Sequence, residues 1–199
     1  MAQLKDSFYG SNERKVDPED VINDTIIEIK QTDFVKVVLD NFDIVPFEAQ
    51  KHFKDIFNFL IQKKGSKIPS YIKVNDKIVD ILIVGLEQEL QKGILYGEIL
   101  QTCFAHKNLC VLAMQKVDSL KCLFSAIKSE EFAVSSNAFS VLSTLVTRHP
   151  DATAQVLGET YDFFFENFHQ VLEGSVMRKR QGLQLLNKVL AMPANEVVR

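Results

Sequence analysis

Along nearly the whole of this 199-residue chain, apolar residues fall three and four positions apart, and the segments they define repeat. Tyr96 to His106 closes one such segment as Leu100-x-Thr102-x3-His106, and Ala138 to His149 closes another as Leu142-x-Thr144-x4-His149. A third runs Leu186-x2-Val189-Leu190-x2-Pro193, so the matching leucines stand 42 and 44 residues apart. A period of roughly 40–47 residues is that of HEAT and armadillo units, whose two or three helices bury their faces only by stacking on the next unit. No strand alternation competes with this pattern. The expectation is therefore an all-α, armadillo/HEAT-like helical repeat superhelix, an α-α solenoid rod with a concave and a convex surface, formed as a single domain over residues 1–199. An irregular helical bundle in which the spacing is chance is the alternative these residues leave open.

Composition agrees with long helices packed on each other. There are 15 Phe, no Trp, and only 8 Gly and 5 Pro, so turns are few and bulky core fillers many. With 46% apolar and 25% charged residues, the chain resembles neither a disordered tail, a collagen nor a membrane protein. A net charge of -3 gives no global attraction to phosphate backbones or anionic lipid, so no nucleic acid and no membrane is expected as a partner. Charge is nevertheless uneven: residues 1–50 hold 5 basic and 11 acidic side chains, and the remainder is mildly basic. Three cysteines, Cys103, Cys110 and Cys122, are too few and too odd in number for a disulfide framework and read as buried thiols of a reducing, cytoplasmic compartment. The first residues, Met1 to Asp6, lack the apolar stretch of a signal peptide. The most apolar window, Ile78 to Leu86, is short and interrupted by Asp80, so no bilayer-spanning helix is expected.

Local signals place the helix ends. Asp17-Pro18-Glu19-Asp20 combines a capping side chain, a proline at the first helical position and an acidic first turn, and opens a helix through Ile26, Ile27 and Ile29. Thr32-Asp33 offers a cap before Phe34, Val37 and Val38. Pro46 opens a longer helix with Phe53, Ile56, Phe57 and Leu60, closed by Lys63, Lys64 and Gly65. Residues 65–70 form the clearest loop, and Pro69 restarts helix. Later apolar faces are Leu120, Leu123, Phe124 and Ile127; Phe164, Phe168, Val171 and Leu172; and Leu183, Leu186, Val189 and Leu190. Phe163, Phe164 and Phe165 cannot all point inward, since adjacent helix positions diverge by about 100°.

No Gly-rich phosphate loop, His-Glu-x-x-His, Gly-x-Ser-x-Gly or Cys-x-x-Cys is present, so no catalytic residue is assigned and no enzyme is expected. Cys103-x2-His106-x3-Cys110 has soft ligands but no evident fourth, and reads as core thiols beside a helix end, so no metal or other cofactor is expected. Two features have the chemistry of partner binding. Arg178-Lys179-Arg180-Gln181 is the densest basic run and begins a helix; a basic run is usually a solvated face, yet Arg offers a planar fork for carboxylates. Phe132 follows Ser129-Glu130-Glu131 at a helix start, a place more often core than surface, which a solenoid nonetheless displays along its concave ridge.

Several stretches then stand together in order: Tyr9-Gly10-Ser11-Asn12-Glu13, Phe47-Glu48, Asp55-Ile56-Phe57-Asn58, Asn137-Ala138-Phe139 through Thr147-Arg148-His149, Tyr161-Asp162-x-Phe164-Phe165, and Lys179-Arg180-Gln181-x-Leu183-x-Leu185-Leu186. They resemble the calcium-binding protein 39 family, also called mouse protein twenty-five (Mo25-like). The resemblance implies a non-catalytic rod of armadillo-like repeats that scaffolds sterile-twenty-type protein kinases and a related pseudokinase. Such a rod holds the kinase domain in its active arrangement, and in animals it completes a complex with a liver kinase. It further implies that Phe132 and Arg180 grip the kinase from the concave surface, with Arg178, Lys179 and Gln181 as weaker neighbours. No Asp-x-Asp-x-Asp-Gly loop is present, so no calcium site is expected despite the family name.

Relative to the family pattern the sequence begins late and stops soon after Pro193, before the repeats that hold a tail-binding pocket, and that pocket is not assigned here. Self-association at an uncapped C-terminal end is a further expectation, because the last apolar face has no following repeat to cover it. A general helical-repeat adaptor for a peptide or a cytoskeletal regulator, without effect on a kinase, is the competing function. The absence of Trp argues against the Asn and Trp ladders of peptide-binding armadillo proteins.

Overall fold

The computed structural model describes residues 18–194, and among these every regular element is helical: twelve α-helices and two 3-10 turns. The expected cap at Asp17 and the Tyr9-to-Glu13 stretch lie outside the described residues. The described residues fall into two compact units, divided between Ile81 and Leu82.

In the first unit, α1 (Pro18–Gln31) meets α2 (Phe34–Asp40) and α4 (Ile68–Val74), and α3 (Phe47–Gln62) meets α4. Helix α5 (Lys77–Val84) begins here and contains the boundary between units. The three-and-four spacing buries Ile22, Ile26 and Ile29 from α1 and Phe53, Ile56, Phe57, Leu60 and Ile61 from α3. Phe53 stacks on Phe57 at 5.5 Å and meets the ring of Phe42 edge-on at 5.9 Å, offset geometries that suit the ring quadrupole. Two local expectations are revised. Asp33 does sit at the N-cap of α2, with φ 49, but its side chain caps nothing. Its Oδ1 accepts from the Tyr71 hydroxyl at 3.1 Å instead. Tyr71 is only 5% exposed, and its part-buried hydroxyl takes Asp33 as acceptor where water serves the open helix end. Burial, then the bond to Asp33, push the Tyr71 phenol up to about 12. The loop expected over residues 65–70 is also shorter, because Ile68 is fully buried and already helical, with Pro69 in the first turn.

The second unit holds α6 (Leu90–Cys103), α7 (Lys107–Gln115), α8 (Val117–Ile127), α9 (Phe132–Thr147), α10 (Pro150–Glu159), α11 (Tyr161–Leu172) and α12 (Val176–Leu190). Here α6 packs on α9, α7 on α10, α8 on α11 and α9 on α12, so each helix meets the one three places further on. The repeating unit is thus three helices, and α6, α9 and α12 start at residues 90, 132 and 176, spaced by 42 and 44. Polar bonds cross between repeats at the same period. Asn137 Nδ2 donates to the Gly93 carbonyl at 2.8 Å, His149 Nε2 meets the Phe104 carbonyl at 2.9 Å, and Lys128 Nζ donates to Gln170 Oε1 at 2.7 Å. Leu100 and Leu142, the first two of the periodic leucines, are fully buried. The stacking of like helix on like helix makes this a helical repeat and not an irregular bundle.

Candidate functional site

Phe132 is the first residue of α9 and is 65% exposed. Its direction follows from helix geometry. The face of α9 turned into the unit carries Val134, Ala138, Val141, Leu142 and Leu145, and position 132 lies about 200° around the axis from 134. The connection before it is held by its own polar groups. Ser129 Oγ accepts from the Glu131 N–H at 3.2 Å, and Ser135 Oγ donates to the Ile127 carbonyl at 2.6 Å. The ring is thereby displayed from an anchored helix start and not from a loose loop.

Helix α12 starts at a Ser175 N-cap whose Oγ accepts from the Arg178 N–H at 3.3 Å. Arg178 turns back toward α9: its Nη2 donates to the Ser129 carbonyl at 3.4 Å, three residues before Phe132. Gly182 lets α12 come close to α11, since a Cβ there would lie 2.6 Å from Leu172 Cδ2. With Gly182, Leu185 and Val189 buried, Arg180 is directed about 200° away from Gly182, and both Lys179 and Arg180 are exposed. The repeat register then relates the two strongest candidates. Arg180 stands four residues into α12 as Ser136 stands four residues into α9, so Phe132 and Arg180 lie on equivalent faces of stacked helices, one repeat apart.

Between these helices runs an open groove of about 580 Å³. Ser136, Ser140, Ser143 and Thr144 of α9 form one wall and Gln181, Gln184, Asn187 and Lys188 of α12 the other, with Phe139 and Leu185 adding apolar surface to it. Of the five expected partner residues only Gln181 lines this groove; Arg178 reaches the Ser129 carbonyl before α9, and Phe132, Lys179 and Arg180 are exposed outside the groove. The groove's hydroxyl and amide walls were missed in the sequence. Their signal was the four-residue spacing of small polar residues on α9, which reads equally as an ordinary solvated stripe. Val176 and Met177, 87% and 52% exposed, add apolar surface at the start of α12. Of the last apolar face, Val189 is buried, Leu186 and Leu190 are half-buried and Leu183 is 53% exposed.

The soft-ligand stretch has a different role. Cys103 and Cys110 are buried, and burial pushes each thiol up to about 12. The Cys110 thiol donates to the Leu145 carbonyl at 3.3 Å, and His106 occupies the N-cap position of α7. No group of three or more His, Cys, Asp or Glu able to hold a metal occurs among the described residues. Nor is any described helix long and apolar enough to cross a membrane.

A family model described as Mo25-like matches residues 1–199. The chain belongs to the Mo25-like family. Proteins named calcium-binding protein 39-like, from Homo sapiens and Mus musculus, are each 25% identical to it over 194 residues, covering 96% of this chain and 57% of theirs. MO25-like protein 2 of Caenorhabditis elegans is 24% identical over 194 residues, covering 96% of this chain and 56% of its own length. This Mo25-like chain therefore spans a little over half the length of those relatives. The Mo25-like family has a helical repeat fold, in keeping with the three-helix stacking of residues 82–194.

Proposed function

We propose that this chain is a non-catalytic, cytoplasmic scaffold that binds a sterile-twenty-type protein kinase, or a related pseudokinase, through the α9–α12 face and activates it in intracellular signalling. The observation that carries the reading is the exposed Phe132 ring standing one repeat from exposed Arg180 on stacked helices. An aromatic anchor beside a guanidinium is the composition of interface hot spots. The charge of the face defines the partner surface. Helix α9 has no charged residue, whereas α12 carries Arg178, Lys179, Arg180 and Lys188 and no acid. Since exposed Glu130 and Glu131 precede Phe132, the complementary surface is an apolar pocket for the Phe132 ring with its acidic groups facing α12 and not Phe132, and rim charges of this kind chiefly speed encounter and set orientation.

Activation by such a scaffold is differential binding. A face that contacts the active kinase conformation better than the inactive one shifts the population by that difference, and moving it from 1:99 to 99:1 takes about 5.5 kcal/mol. A liver-kinase-type complex is the assembly to which the activated pair contributes. Self-association would use the outer edge of α12, where Leu183 is exposed, and sedimentation across a concentration series measures it.

The test is the activity of sterile-twenty-type kinases from the same cell with and without purified 1–199, alongside binding. Phe132→Ala and Arg180→Ala are each expected to weaken binding by at least ~1–2 kcal/mol with unchanged helicity. Unchanged affinity in both variants refutes this face as the contact. Binding without activation makes the chain an adaptor or a competitor instead.

A further inference from the structure

The first unit carries a second feature, remote in the sequence from α9 and α12. An apolar pocket of about 370 Å³ opens beside α1. Phe53, Ile56, Phe57 and Leu60 of α3 form its floor, and one side is closed by Thr25, Glu28 and Ile29 of α1 together with Thr32, the residue just after that helix. Both threonines spend their hydroxyls on carbonyls of α1, Thr25 on that of Val21 and Thr32 on that of Glu28, both at 2.8 Å. The pocket therefore presents hydrocarbon, with the Glu28 carboxylate at its rim. That size and lining suit an apolar group placed by a few polar contacts.

Glu28 continues a row. Asp20, Asp24 and Glu28 are four residues apart, so they lie along one side of α1 in steps of about 6 Å. All three are exposed and make no ion pair among the described residues, unlike Glu19, which pairs with Lys63, or Asp40, which pairs with Lys36. An unbalanced acidic row that ends at an apolar pocket repels anionic lipid, and a neutral apolar molecule would leave it unused. A second helix laid along α1 matches both features. Lys or Arg at every fourth position meets the carboxylates in register, and one aromatic or branched side chain a turn further on enters the pocket.

We propose that this groove is a docking site for a basic amphipathic helix of a partner protein, with an apolar residue seated in the pocket beside α1 and its cations on Asp20, Asp24 and Glu28. The site shares no residue with the α9–α12 face, and its test involves no kinase.

The experiment uses the full 1–199 chain and two fluorescent synthetic peptides that share Phe and Leu on one helical face. One carries Lys at every fourth position and the other Glu, and binding is read by anisotropy at low and high salt. The Lys peptide is expected to bind, and to bind more weakly as salt rises. The Asp24→Asn/Glu28→Gln pair is expected to weaken it about fivefold or more and to flatten the salt dependence. Thr32→Trp, which adds a ring at the pocket mouth without touching the buried floor, is expected to abolish binding with unchanged circular dichroism. Equal binding of the Glu peptide, or no effect of the carboxylate variants, overturns the proposal. Tighter binding after Phe8→Ser/Tyr9→Ser also overturns it, by making the chain's own first residues the occupant. Loss of concentration-dependent self-association in Thr32→Trp overturns it in favour of a second copy.

Discussion

Gly97→Ala puts a methyl where the side chain of Asn137 now stands. A Cβ at Gly97 would lie 2.6 Å from Asn137 Oδ1, 2.9 Å from Nδ2 and 3.1 Å from Cγ. The amide cannot swing aside freely, because Nδ2 donates at 2.8 Å to the Gly93 carbonyl and ties α9 to α6 across the repeat. Displacing it sacrifices that bond and leaves a half-buried amide poorly paired, a cost of about 1–3 kcal/mol. Against this, alanine is better than glycine in a helix interior by about 1 kcal/mol. Gly97→Ala is thus expected to destabilise the protein by about 1 kcal/mol. In an Asn137→Ala background both the obstacle and the bond are gone, and the same change is expected to stabilise by about 1 kcal/mol. The sign reversal corresponds to a coupling of about 2 kcal/mol, well inside the range for residues in contact. All four proteins are compared by urea unfolding followed by far-ultraviolet circular dichroism, the chain having no Trp to report by fluorescence. If Gly97→Ala stabilises the parent as much as it stabilises the Asn137→Ala protein, the amide does not bridge the repeats and the reasoning fails.

Two further predictions concern titratable groups. Because the fold raises the Tyr71 phenol to about 12, its contribution is fully present below the ordinary phenol pKa of about 10 and is lost as pH rises through the folded value. Unfolding measured across that alkaline range is expected to steepen with pH, and Tyr71→Phe to remove that component; an identical slope in both proteins excludes the Asp33 bond as a stabilising contact. Among the thiols, half-exposed Cys122 is expected to react with a thiol reagent well before Cys103 and Cys110, whose protonated, buried groups should label only as the structure opens. Equal labelling rates for all three would contradict their burial.

The sequence alone determined the helical character of the chain, most helix ends, the core stripes and the repeat period. These are local properties: an apolar residue every three or four positions, a proline at a first turn and a lysine-glycine stop act within a few residues of themselves. Leu100 and Leu142 are buried as the period requires, and Phe164 points inward while Phe163 and Phe165 lie half-open, as the geometry of adjacent positions demands. Direction and pairing between distant residues needed the tertiary structure. Whether Phe132 faced core or solvent depended on which side of α9 met α6 and α8. Whether Arg178 was solvated depended on a carbonyl 49 residues away. Asp33 had every local reason to cap α2, yet it bonds Tyr71, a residue 38 positions away whose part-buried hydroxyl the fold brings to it, while an open helix end has water. The groove between α9 and α12 and the pocket beside α1 were invisible for the same reason. A cavity is the space left between surfaces that are far apart in the chain, and its walls exist only once those surfaces are brought together.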